Sequence, residues 1–520
     1  MKALHTLLSS LPAFAMSGDE HALARAVTSI QYDSRKCSDD ALFVAMRGAA
    51  ADGHDFIPQA IERGARFIVA EREIEVPNSV ALVVVPNARK ALALLSHAWF
   101  DAPSTKLRIF GVTGTNGKTT TTFMLQSLLE QSGENVGIIG TTGNYIGGEV
   151  LPALFTTPEA PELCALFVEM RKRGATAIVM EVSSHALSLE RVYGTTFAGA
   201  MFTNLTQDHL DFHGTMQDYA AAKQRLFSML PPTSFLVVNA DDEWAEFMTA
   251  ECAVPPQNRC SYGRSEHSGV RISDVRLGFT QTNFALSEKN AVGTTWHFSM
   301  SPIGGFNVDN AAGCLAMMRL LGVSWEKLVE YLPNVQGAPG RMQRIPLNKT
   351  YDSTSNGVLS KQSAVGIVDY AHTPDALEKA LLSCRELRDA SFPDGRIICV
   401  FGCGGNRDRT KRPKMGAIAA NLADIIIPTS DNPRNEDPLT ILDDILAGIP
   451  KEKFPATTVL ADRREAIHHA VRLARAGDIV LVAGKGHENY QIIGAERIHF
   501  DDVEVVQDVM QSLATSGQVA

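Results

Sequence analysis

The residues with the clearest chemistry lie between Gly111 and Thr120, a run that combines glycines with a lysine and adjacent threonines. A buried-strand segment at 107–112 leads into this run, and a helix-like segment at 118–131 continues from it. Backbone N–H groups at such a turn, together with the helix N-terminus, form a cradle for phosphate. Lys118 would reach the β- and γ-phosphates, and the Thr119 hydroxyl would bind Mg²⁺. The run predicts a nucleoside triphosphate site, although Val112 replaces the first glycine of the strict pattern.

Other polar residues are informative mainly through their positions. Glu181 ends a predicted buried strand, where side chains project towards the crevice that open α/β sheets use for ligands. A carboxylate at a strand end is nevertheless more often a helix cap or a solvated group. His209 taken alone is typical of a packing residue, and Lys223 in an alanine-rich helix is typical of a solvated lysine. Residues 431–434, Asp-Asn-Pro-Arg, are typical of a turn.

Composition excludes several classes of protein. The net charge of −10 argues against a nucleic-acid binder, whose domains carry a basic excess. No apolar run approaches the roughly 18 residues that a membrane helix needs, and residues 1–15 are interpreted as an amphipathic first helix. The eight cysteines are scattered without a CxxC pair, which favours reduced thiols and a cytoplasmic location over a disulfide framework or a zinc site.

A chain of 520 residues is too long for one core, and its length favours about three domains. Linker-like segments at 101–105 and 336–340 predict domains at 1–105, 106–338 and 339–520. Short apolar strands alternating with helices indicate parallel sheets covered on both faces. The predicted fold class is therefore α/β, with a central phosphate-loop domain containing a parallel sheet and a C-terminal Rossmann-like domain.

The predicted strands alternate with helices through most of the chain. Residues 260–300 differ, since polar and apolar segments alternate there and predict a small antiparallel addition. Strands are predicted at 27–32, 41–46, 66–70, 81–85, 107–112, 136–139, 177–182, 198–202, 235–238, 270–277, 296–300, 366–369, 397–401, 424–427, 457–460 and 479–483.

The run from Thr113 to Thr120 resembles the ATP loop of the Mur ligases, the enzymes that build the peptidoglycan stem peptide. Further motifs follow in the order of that family, at 181–185, 204–211, 307–310, 369–375, 402–408 and 484–488. The resemblance implies a three-domain ligase in which the first domain binds a UDP-sugar, the second binds ATP, and the third closes over an amino acid. It implies that the ATP site contains Gly114, Thr115, Asn116, Gly117, Lys118, Thr119, Thr120 and Asn310.

The resemblance also changes the interpretation of the isolated polar residues. It implies that Glu181 and His209, with Thr119, are Mg²⁺ ligands, and that they act in catalysis with Lys118 and Lys223. It implies that Lys223 is carbamylated by CO₂, which turns a cation into an anion that helps to hold the metal. The UDP-muramoyl dipeptide would contact Ser34, Thr156, Thr157, Ser183 and Arg191. Phe155 and Leu189 depart from the family pattern, in which asparagine and glutamine are common.

The amino-acid substrate is implied by the third domain. Asp431, Asn432, Pro433 and Arg434 match the recognition motif of the family members that add meso-diaminopimelate, and Arg407, Gly484 and Glu488 match the remaining contacts. A planar guanidinium binds a carboxylate through two parallel hydrogen bonds, and meso-diaminopimelate differs from lysine by one carboxylate. The implied reaction joins meso-diaminopimelate to UDP-N-acetylmuramoyl-L-alanyl-D-glutamate through an acyl phosphate, consuming ATP.

Other functions remain open from the sequence alone. A ligase of the same superfamily that adds lysine or D-alanyl-D-alanine, or a folylpolyglutamate synthase, would share most of the motifs. A phosphate-loop kinase would transfer phosphate to a stable product, and a non-catalytic nucleotide-binding partner protein would keep the fold without the reaction. The expected partners are small-molecule substrates, with no nucleic acid and no membrane insertion, and the chain is expected to be a monomer.

Overall fold

The computed structural model describes residues 1–19, 21–48, 51–151, 155–278, 281–289, 293–301, 304–347 and 364–515. The chain divides into two compact units, residues 1–261 and 262–520. In both units most of the apolar runs predicted as strands are buried in sheets that carry helices on both faces.

The amino-terminal part of the first unit is built on a five-stranded sheet. Its inner strands are parallel, and the edge strand Ala15–Gly18 pairs antiparallel with its neighbour. One face packs against the helix Ala88–Trp99, and the other packs against Ile57–Glu62. Asn87 caps the longer helix by accepting from the Lys90 amide at 2.9 Å. In sheet order the strands are Ala15–Gly18, Ala81–Val84, Phe67–Ala70, Leu42–Val44 and Ile30–Gln31.

The rest of the first unit contains a larger sheet. Its parallel strands place Arg108–Thr113 between Ala177–Glu181 and Gly199–Phe202, so that their carboxyl ends are neighbours. In sheet order the strands are Glu149–Leu151, Gly143–Ile146, Val136–Gly140, Ala177–Glu181, Arg108–Thr113, Gly199–Phe202 and Phe235–Asn239, the first two forming an antiparallel hairpin. The helices are Lys118–Gln131, Ala160–Lys172, Ser184–Ser188, Leu210–His213, Met216–Ser228 and Ala245–Thr249.

The second unit begins with an antiparallel group. The strands Val270–Arg276, Thr282–Glu288 and Trp296–Met300 pair in that order, and the helices Gly305–Leu320 and Trp325–Tyr331 follow them. The strand Arg259–Gly263 joins this group by parallel pairing of Tyr262 with Val270. The small antiparallel addition predicted for residues 260–300 is therefore confirmed.

The remainder of the second unit is a five-stranded sheet between two helical layers. In sheet order the strands are Gln343–Leu347, Ala364–Asp369, Ile479–Ala483, Ile397–Phe401 and Ile425–Pro428, and only the first is antiparallel to its neighbour. Its helices are Pro374–Ser391, Lys411–Leu422, Pro438–Leu446, Arg463–Leu473 and Asp502–Thr515, and the hairpin Tyr490–Ile493 with Glu496–His499 lies outside the sheet.

Three predicted elements differ from the structure. The prediction of a full strand at 457–460 is wrong. After the 3₁₀ helix Lys451–Ala456 the chain forms an isolated bridge between Thr457 and Ile426, and the Thr458 and Leu460 amides donate to the Ile426 and Pro428 carbonyls. The predicted strand 27–32 is divided into Ala26–Val27 and Ile30–Gln31, which pair with different partners. The predicted first helix spans only Leu4–Leu8.

Two predictions made from composition can be compared with the structure. All eight cysteines are free, and six of them are buried, so none forms a disulfide in this structure. Among the residues that the structure describes, no helix combines the length and the apolar character needed to cross a membrane.

A fully buried ion pair supports the carboxyl-terminal sheet. Arg463 Nε donates to Asp502 Oδ1 at 2.8 Å, and Arg463 Nη2 donates to Asp502 Oδ2 at 2.6 Å. Both side chains are inaccessible to solvent. Breaking such a pair leaves a buried charge without its partner, which is costly.

We expect Asp502→Asn to lower the free energy of unfolding by about 3–5 kcal/mol, because Arg463 would stay buried without a counter-charge. Urea denaturation followed by circular dichroism measures the loss. Arg464→Met is the matched control, since the neighbouring Arg464 pairs with Asp508 at the surface and should cost less than about 1 kcal/mol. Equal stability of the two variants would contradict the role assigned to the buried pair.

Candidate active site

The predicted phosphate loop connects the strand Arg108–Thr113 to the helix Lys118–Gln131. Gly114 has φ +149° and Gly117 has φ +85°, values that side chains disfavour. A Cβ on Gly114 would lie 1.9 Å from Thr203 Oγ1, so only glycine fits at this turn. The two glycines therefore permit the tight turn that leads from the strand to the N-terminus of the helix, the part of a helix that favours anions.

The segment after the strand Gly199–Phe202 braces this loop. Thr203 Oγ1 donates to the Asn116 carbonyl at 2.7 Å, and Asn204 Oδ1 accepts from the Asn116 amide at 3.0 Å. Lys118 Nζ donates to the carbonyl oxygens of Gly114 and Thr115 at 3.0 and 2.8 Å. The lysine thus lies over the loop where phosphate oxygens would replace these carbonyl groups as acceptors.

Oxygen ligands converge beside the loop. Glu181 is buried and accepts from Thr119 Oγ1 at 2.9 Å and from the Thr141 amide at 2.9 Å. Within the described ranges, no three His, Cys, Asp or Glu side chains are grouped to hold a metal ion by themselves. Mg²⁺ commonly takes one or two carboxylates and completes its shell with substrate phosphates and water, so Thr119 and Glu181 fit this ion.

His209, the third predicted metal ligand, lies just before the helix Leu210–His213. It has φ +52°, and its half-exposed ring packs 4.8 Å from the ring of His185. Its Nε2 atom is 3.5 Å from Asp208 Oδ2. The Tyr219 ring is 6.1 Å away, and the Tyr219 hydroxyl is 3.1 Å from Thr115 Oγ1. His209 is therefore near the phosphate loop, although none of these contacts reaches Glu181 or Thr119.

Lys223 is not the solvated lysine that its helix would suggest. It is almost completely buried, and Nζ donates to the Gly114 carbonyl at 2.8 Å and lies 4.6 Å from the centre of the Tyr219 ring. Burial, and to a smaller extent the Lys118 cation, hold the pKa of Lys223 well below its usual range. The amine is thereby favoured in its neutral, nucleophilic form next to the phosphate loop.

The predicted peptide-binding residues are joined to the carboxylate strand. Thr157 Oγ1 donates to the Glu181 carbonyl at 2.9 Å and accepts from the Ser183 amide at 3.2 Å, while Arg191 Nη1 donates to the Thr157 carbonyl at 3.1 Å. Thr156 Oγ1 is 3.1 Å from Thr141 Oγ1. The structure thus brings Thr156, Thr157, Ser183 and Arg191 together around Glu181.

Phe155 and Glu159 also contact Arg191. The Arg191 guanidinium lies 4.8 Å from the centre of the Phe155 ring, and Arg191 Nε lies 2.8 Å from Glu159 Oε1. Phe155, which stands where the family commonly has asparagine, therefore makes a cation–π interaction with Arg191. Leu189, the other departure, caps the short helix Ser184–Ser188 at its carboxyl end.

Ser34 lines a cavity of about 450 Å³ in the amino-terminal part of the chain. Ser34 Oγ donates to Gln59 Oε1 at 2.6 Å, and Tyr32 on the same wall donates to Glu162 Oε1 at 2.9 Å. Gln59, Tyr32 and Arg89 were not predicted as site residues, since no motif marks them. Their proximity arises because separate strands and helices meet at this cavity.

The predicted diaminopimelate residues lie on loops at the carboxyl ends of the carboxyl-terminal sheet. Asn432 Nδ2 donates to Glu488 Oε2 at 3.0 Å, which joins two of the three loops. Arg434 has φ +53°, and its Nη1 donates to the Gly405 carbonyl at 2.9 Å. A Cβ on Gly404 would lie 2.9 Å from Arg434 Nη1 and 3.7 Å from Arg407 Cγ, so both arginines lie beside this glycine.

Gly484, Asp431 and Pro433 complete the predicted set. Gly484 has φ +121°, and a Cβ there would approach Asp431 Cγ to 4.0 Å. The Pro433 carbonyl lies 1.9 Å from where a Gly405 Cβ would be, so these loops pack backbone against backbone. The predicted ATP residue Asn310 is buried on the helix Gly305–Leu320, and its Nδ2 donates to Asn307 Oδ1 at 3.1 Å.

Comparison with known proteins agrees with this geometry. Residues 112–318 match the description "Mur ligase middle domain", residues 357–486 match "Mur ligase, glutamate ligase domain", and residues 26–99 match "Mur ligase family, catalytic domain". A 2,6-diaminopimelate ligase of Clostridium acetobutylicum is 41% identical over 94% of this chain and 95% of its own length. The chain belongs to the Mur ligase family.

Two further relatives of this Mur ligase cover almost its whole length. UDP-N-acetylmuramoyl-L-alanyl-D-glutamate–2,6-diaminopimelate ligase of Chlorobaculum tepidum is 43% identical over 97% of this chain and 96% of its own. A solved structure with the same description superposes with a TM-score of 0.70 at 33% identity, covering 98% of this chain and 99% of the other. The predicted family, fold class and ligase activity are confirmed.

We expect Gly114→Ala to weaken ATP binding by this Mur ligase at least about tenfold, because the new methyl group must displace the Thr203 brace. Isothermal titration calorimetry with ATP and Mg²⁺ measures the change. Gly133→Ala is the control, since Gly133 also has positive φ but its Cβ would meet open space. Undiminished affinity in Gly114→Ala would contradict the assigned phosphate site.

Proposed function

We propose that this Mur ligase joins meso-diaminopimelate to UDP-N-acetylmuramoyl-L-alanyl-D-glutamate in peptidoglycan precursor synthesis, consuming ATP. The observation that carries the proposal is the high identity, over nearly the whole chain, to relatives described as performing this ligation. The arrangement of Arg434 and Glu488 on neighbouring loops is chemically suited to a substrate with both carboxylates and ammonium groups.

The substrate carboxylate must be made electrophilic before an amine can attack it. In the proposed mechanism it attacks the γ-phosphate of ATP, giving an acyl phosphate and ADP. The loop amides and Lys118 hold the triphosphate in line with the attacking oxygen. Mg²⁺ held by Thr119, Glu181 and His209 would neutralise charge on the phosphates when bound. The neutral amine of the diamino acid then displaces phosphate through a tetrahedral intermediate.

Specificity for the amino acid follows from the charges on the loops. Arg434 and Arg407 both lie beside Gly404 and would offer guanidinium groups to the distal carboxylate of meso-diaminopimelate. Glu488 offers a carboxylate to an ammonium group, and Gly484, with Asp431, Asn432 and Pro433, completes the pocket. Lysine lacks the distal carboxylate and would leave the arginine cations without a partner, which disfavours it.

Lys223 is proposed to be carbamylated. Carbamate formation requires a neutral amine, and burial of Lys223 favours that form. The resulting anion would lie beside Gly114 of the phosphate loop, where it would help to hold the metal.

The division of labour among the domains is part of the proposal. Residues 1–105 bind the UDP-sugar in the cavity beside Ser34, residues 106–338 bind ATP and the muramoyl peptide, and residues 339–520 bind the amino acid. Closure by rotation at 337–340 would bring the substrates together. The monomeric state and the cytoplasmic location stay predictions.

Measuring the release of inorganic phosphate with different amino acids distinguishes the proposed ligase activity from the alternative functions. With ATP, Mg²⁺ and the UDP-muramoyl dipeptide present, we expect meso-diaminopimelate to be preferred over lysine by about 10⁴-fold in kcat/KM, because lysine cannot pair with Arg434. Arg434→Ala should lose most of this preference, whereas Arg472→Ala, which changes an exposed arginine near the carboxyl end of the helix Arg463–Leu473, should keep it.

Comparable kcat/KM values for the two amino acids would contradict the proposed substrate. Formation of ADP and a stable phosphorylated product without an amide would instead identify a kinase. Activity with D-alanyl-D-alanine or glutamate in place of meso-diaminopimelate would identify one of the other superfamily ligases.

We expect Lys223→Ala to abolish turnover and to remove a carbamate signal from the ¹³C NMR spectrum of protein equilibrated with ¹³C-bicarbonate. The reason is that no other side chain would supply the anion beside Gly114. Lys172→Ala, at the exposed end of the helix Ala160–Lys172, is the control and should keep both activity and signal. Full activity of Lys223→Ala or Lys223→Cys without bicarbonate would exclude the carbamate.

A further inference from the structure

A lysine that no substrate contact explains lies beneath the candidate amino-acid site. Lys485 is fully buried between the loops that follow the strands Ile425–Pro428 and Ile479–Ala483. Its Nζ atom is 3.5 Å from Asp431 Oδ1, 3.2 Å from Asn432 Oδ1 and 3.6 Å from Glu488 Oε2. A buried ammonium group requires such polar partners, since burial of an isolated charge is prohibitively costly.

The backbone directs Lys485 inwards. Gly484 and Gly486, on either side of it, have φ +121° and +54°, and the Glu488 amide donates to the Lys485 carbonyl at 2.9 Å. A Cβ on Gly486 would lie 2.6 Å from the Gly340 carbonyl oxygen, so this part of the loop packs too closely for a side chain. The tight turn leaves the Lys485 side chain on the inner side and places Glu488 on the same side.

The second buried cation nearby has a different task. Arg463 is paired with Asp502 and donates to the Ala483 carbonyl at 3.1 Å and to the Ser430 carbonyl at 3.4 Å. Ala483 immediately precedes Gly484 in the chain, and Ser430 immediately precedes Asp431. Arg463 therefore fixes the ends of the two strands, and its charge is balanced by Asp502. Lys485 is the lysine in direct contact with the carboxylates of Asp431 and Glu488.

Balance of charge gives Lys485 a role in recognition. Asp431 and Glu488 contribute two negative charges, and Lys485 contributes one positive charge, which leaves one negative charge for one ammonium group of the substrate. Asn432 supports the same arrangement, because its Oδ1 accepts from the Ile492 amide at 3.0 Å while its Nδ2 donates to Glu488. Lys485 therefore bridges the loop that carries Arg434 and the loop that carries Glu488.

We propose that Lys485 is a positioning residue for the diamino acid, which holds Glu488 and the loop 431–434 in the geometry that accepts one ammonium and one distal carboxylate. This inference rests on the proposed function and adds to it a residue that touches no substrate. Without Lys485, the two carboxylates would repel each other, and Glu488 would turn away from the Asn432 amide.

We expect Lys485→Met to raise KM for meso-diaminopimelate by about 10- to 100-fold, because a charged hydrogen-bond partner of Glu488 is lost. KM for ATP and for the UDP-muramoyl dipeptide should stay within about twofold, since those sites lie on other elements. Lys379→Met is the matched control, because Lys379 forms an exposed pair with Asp375 on the helix Pro374–Ser391 and should leave all three KM values unchanged.

Coupling to Glu488 separates positioning from a purely structural contribution. In a Glu488→Gln background, Lys485→Met should raise KM for meso-diaminopimelate much less than it does in the wild type, because the interaction is already absent. If Lys485→Met lacks a cooperative melting transition, Lys485→Gln, which keeps a donor and similar volume, is used with the same expectation.

The outcomes are distinct. Failure of the wild type to ligate meso-diaminopimelate would overturn the proposed function itself. A wild type that ligates it, with a Lys485 variant whose KM values are unchanged or rise equally for all three substrates, would overturn only the role of Lys485. Additive effects of the Lys485 and Glu488 substitutions on KM for meso-diaminopimelate would also overturn the role of Lys485.

Discussion

Parallel pairing of the strands Arg108–Thr113 and Ala177–Glu181 is the constraint on which the candidate active site depends. It places Glu181 opposite Val112, one residue from the end of the strand that opens into the phosphate loop. The Thr119 hydroxyl can then reach Glu181, and the Thr157 hydroxyl can reach the Glu181 carbonyl. A shift of one residue in this register would turn Glu181 to the opposite face of the sheet and separate it from both threonines.

Two buried lysines show how surroundings determine chemistry. Lys223 lies against a carbonyl group and an aromatic ring, so burial lowers its pKa and favours a neutral amine that can react. Lys485 lies between two carboxylates and an amide oxygen, which stabilise a cation. The first environment is the one in which carbamylation is proposed, whereas the second holds the lysine close to the carboxylates of Asp431 and Glu488. The difference arises from the partners and not from the depth of burial, which is nearly the same for both.

Much of the fold could be predicted because apolar runs of four to six residues match buried strands, as at Phe67–Ala70, Ile397–Phe401 and Ile479–Ala483. The prediction at 457–460 was wrong because this segment, although it donates two backbone hydrogen bonds to the strand Ile425–Pro428, pairs with it only through an isolated bridge. The edge strand Gln343–Leu347 was not predicted, since Pro346 weakens its pattern, although an edge position tolerates proline.

The sequence by itself determined the phosphate loop, the order of the family motifs and the alternation of strands and helices, because these depend on residues close together in the chain. Only the tertiary structure decided which distant residues meet. It placed Tyr32 beside Glu162, Phe155 against Arg191, and Lys485 between Asp431 and Glu488. Such contacts depend on the order of the strands in the sheets and on the packing of the loops. Neither can be inferred from residues that are close together in the sequence.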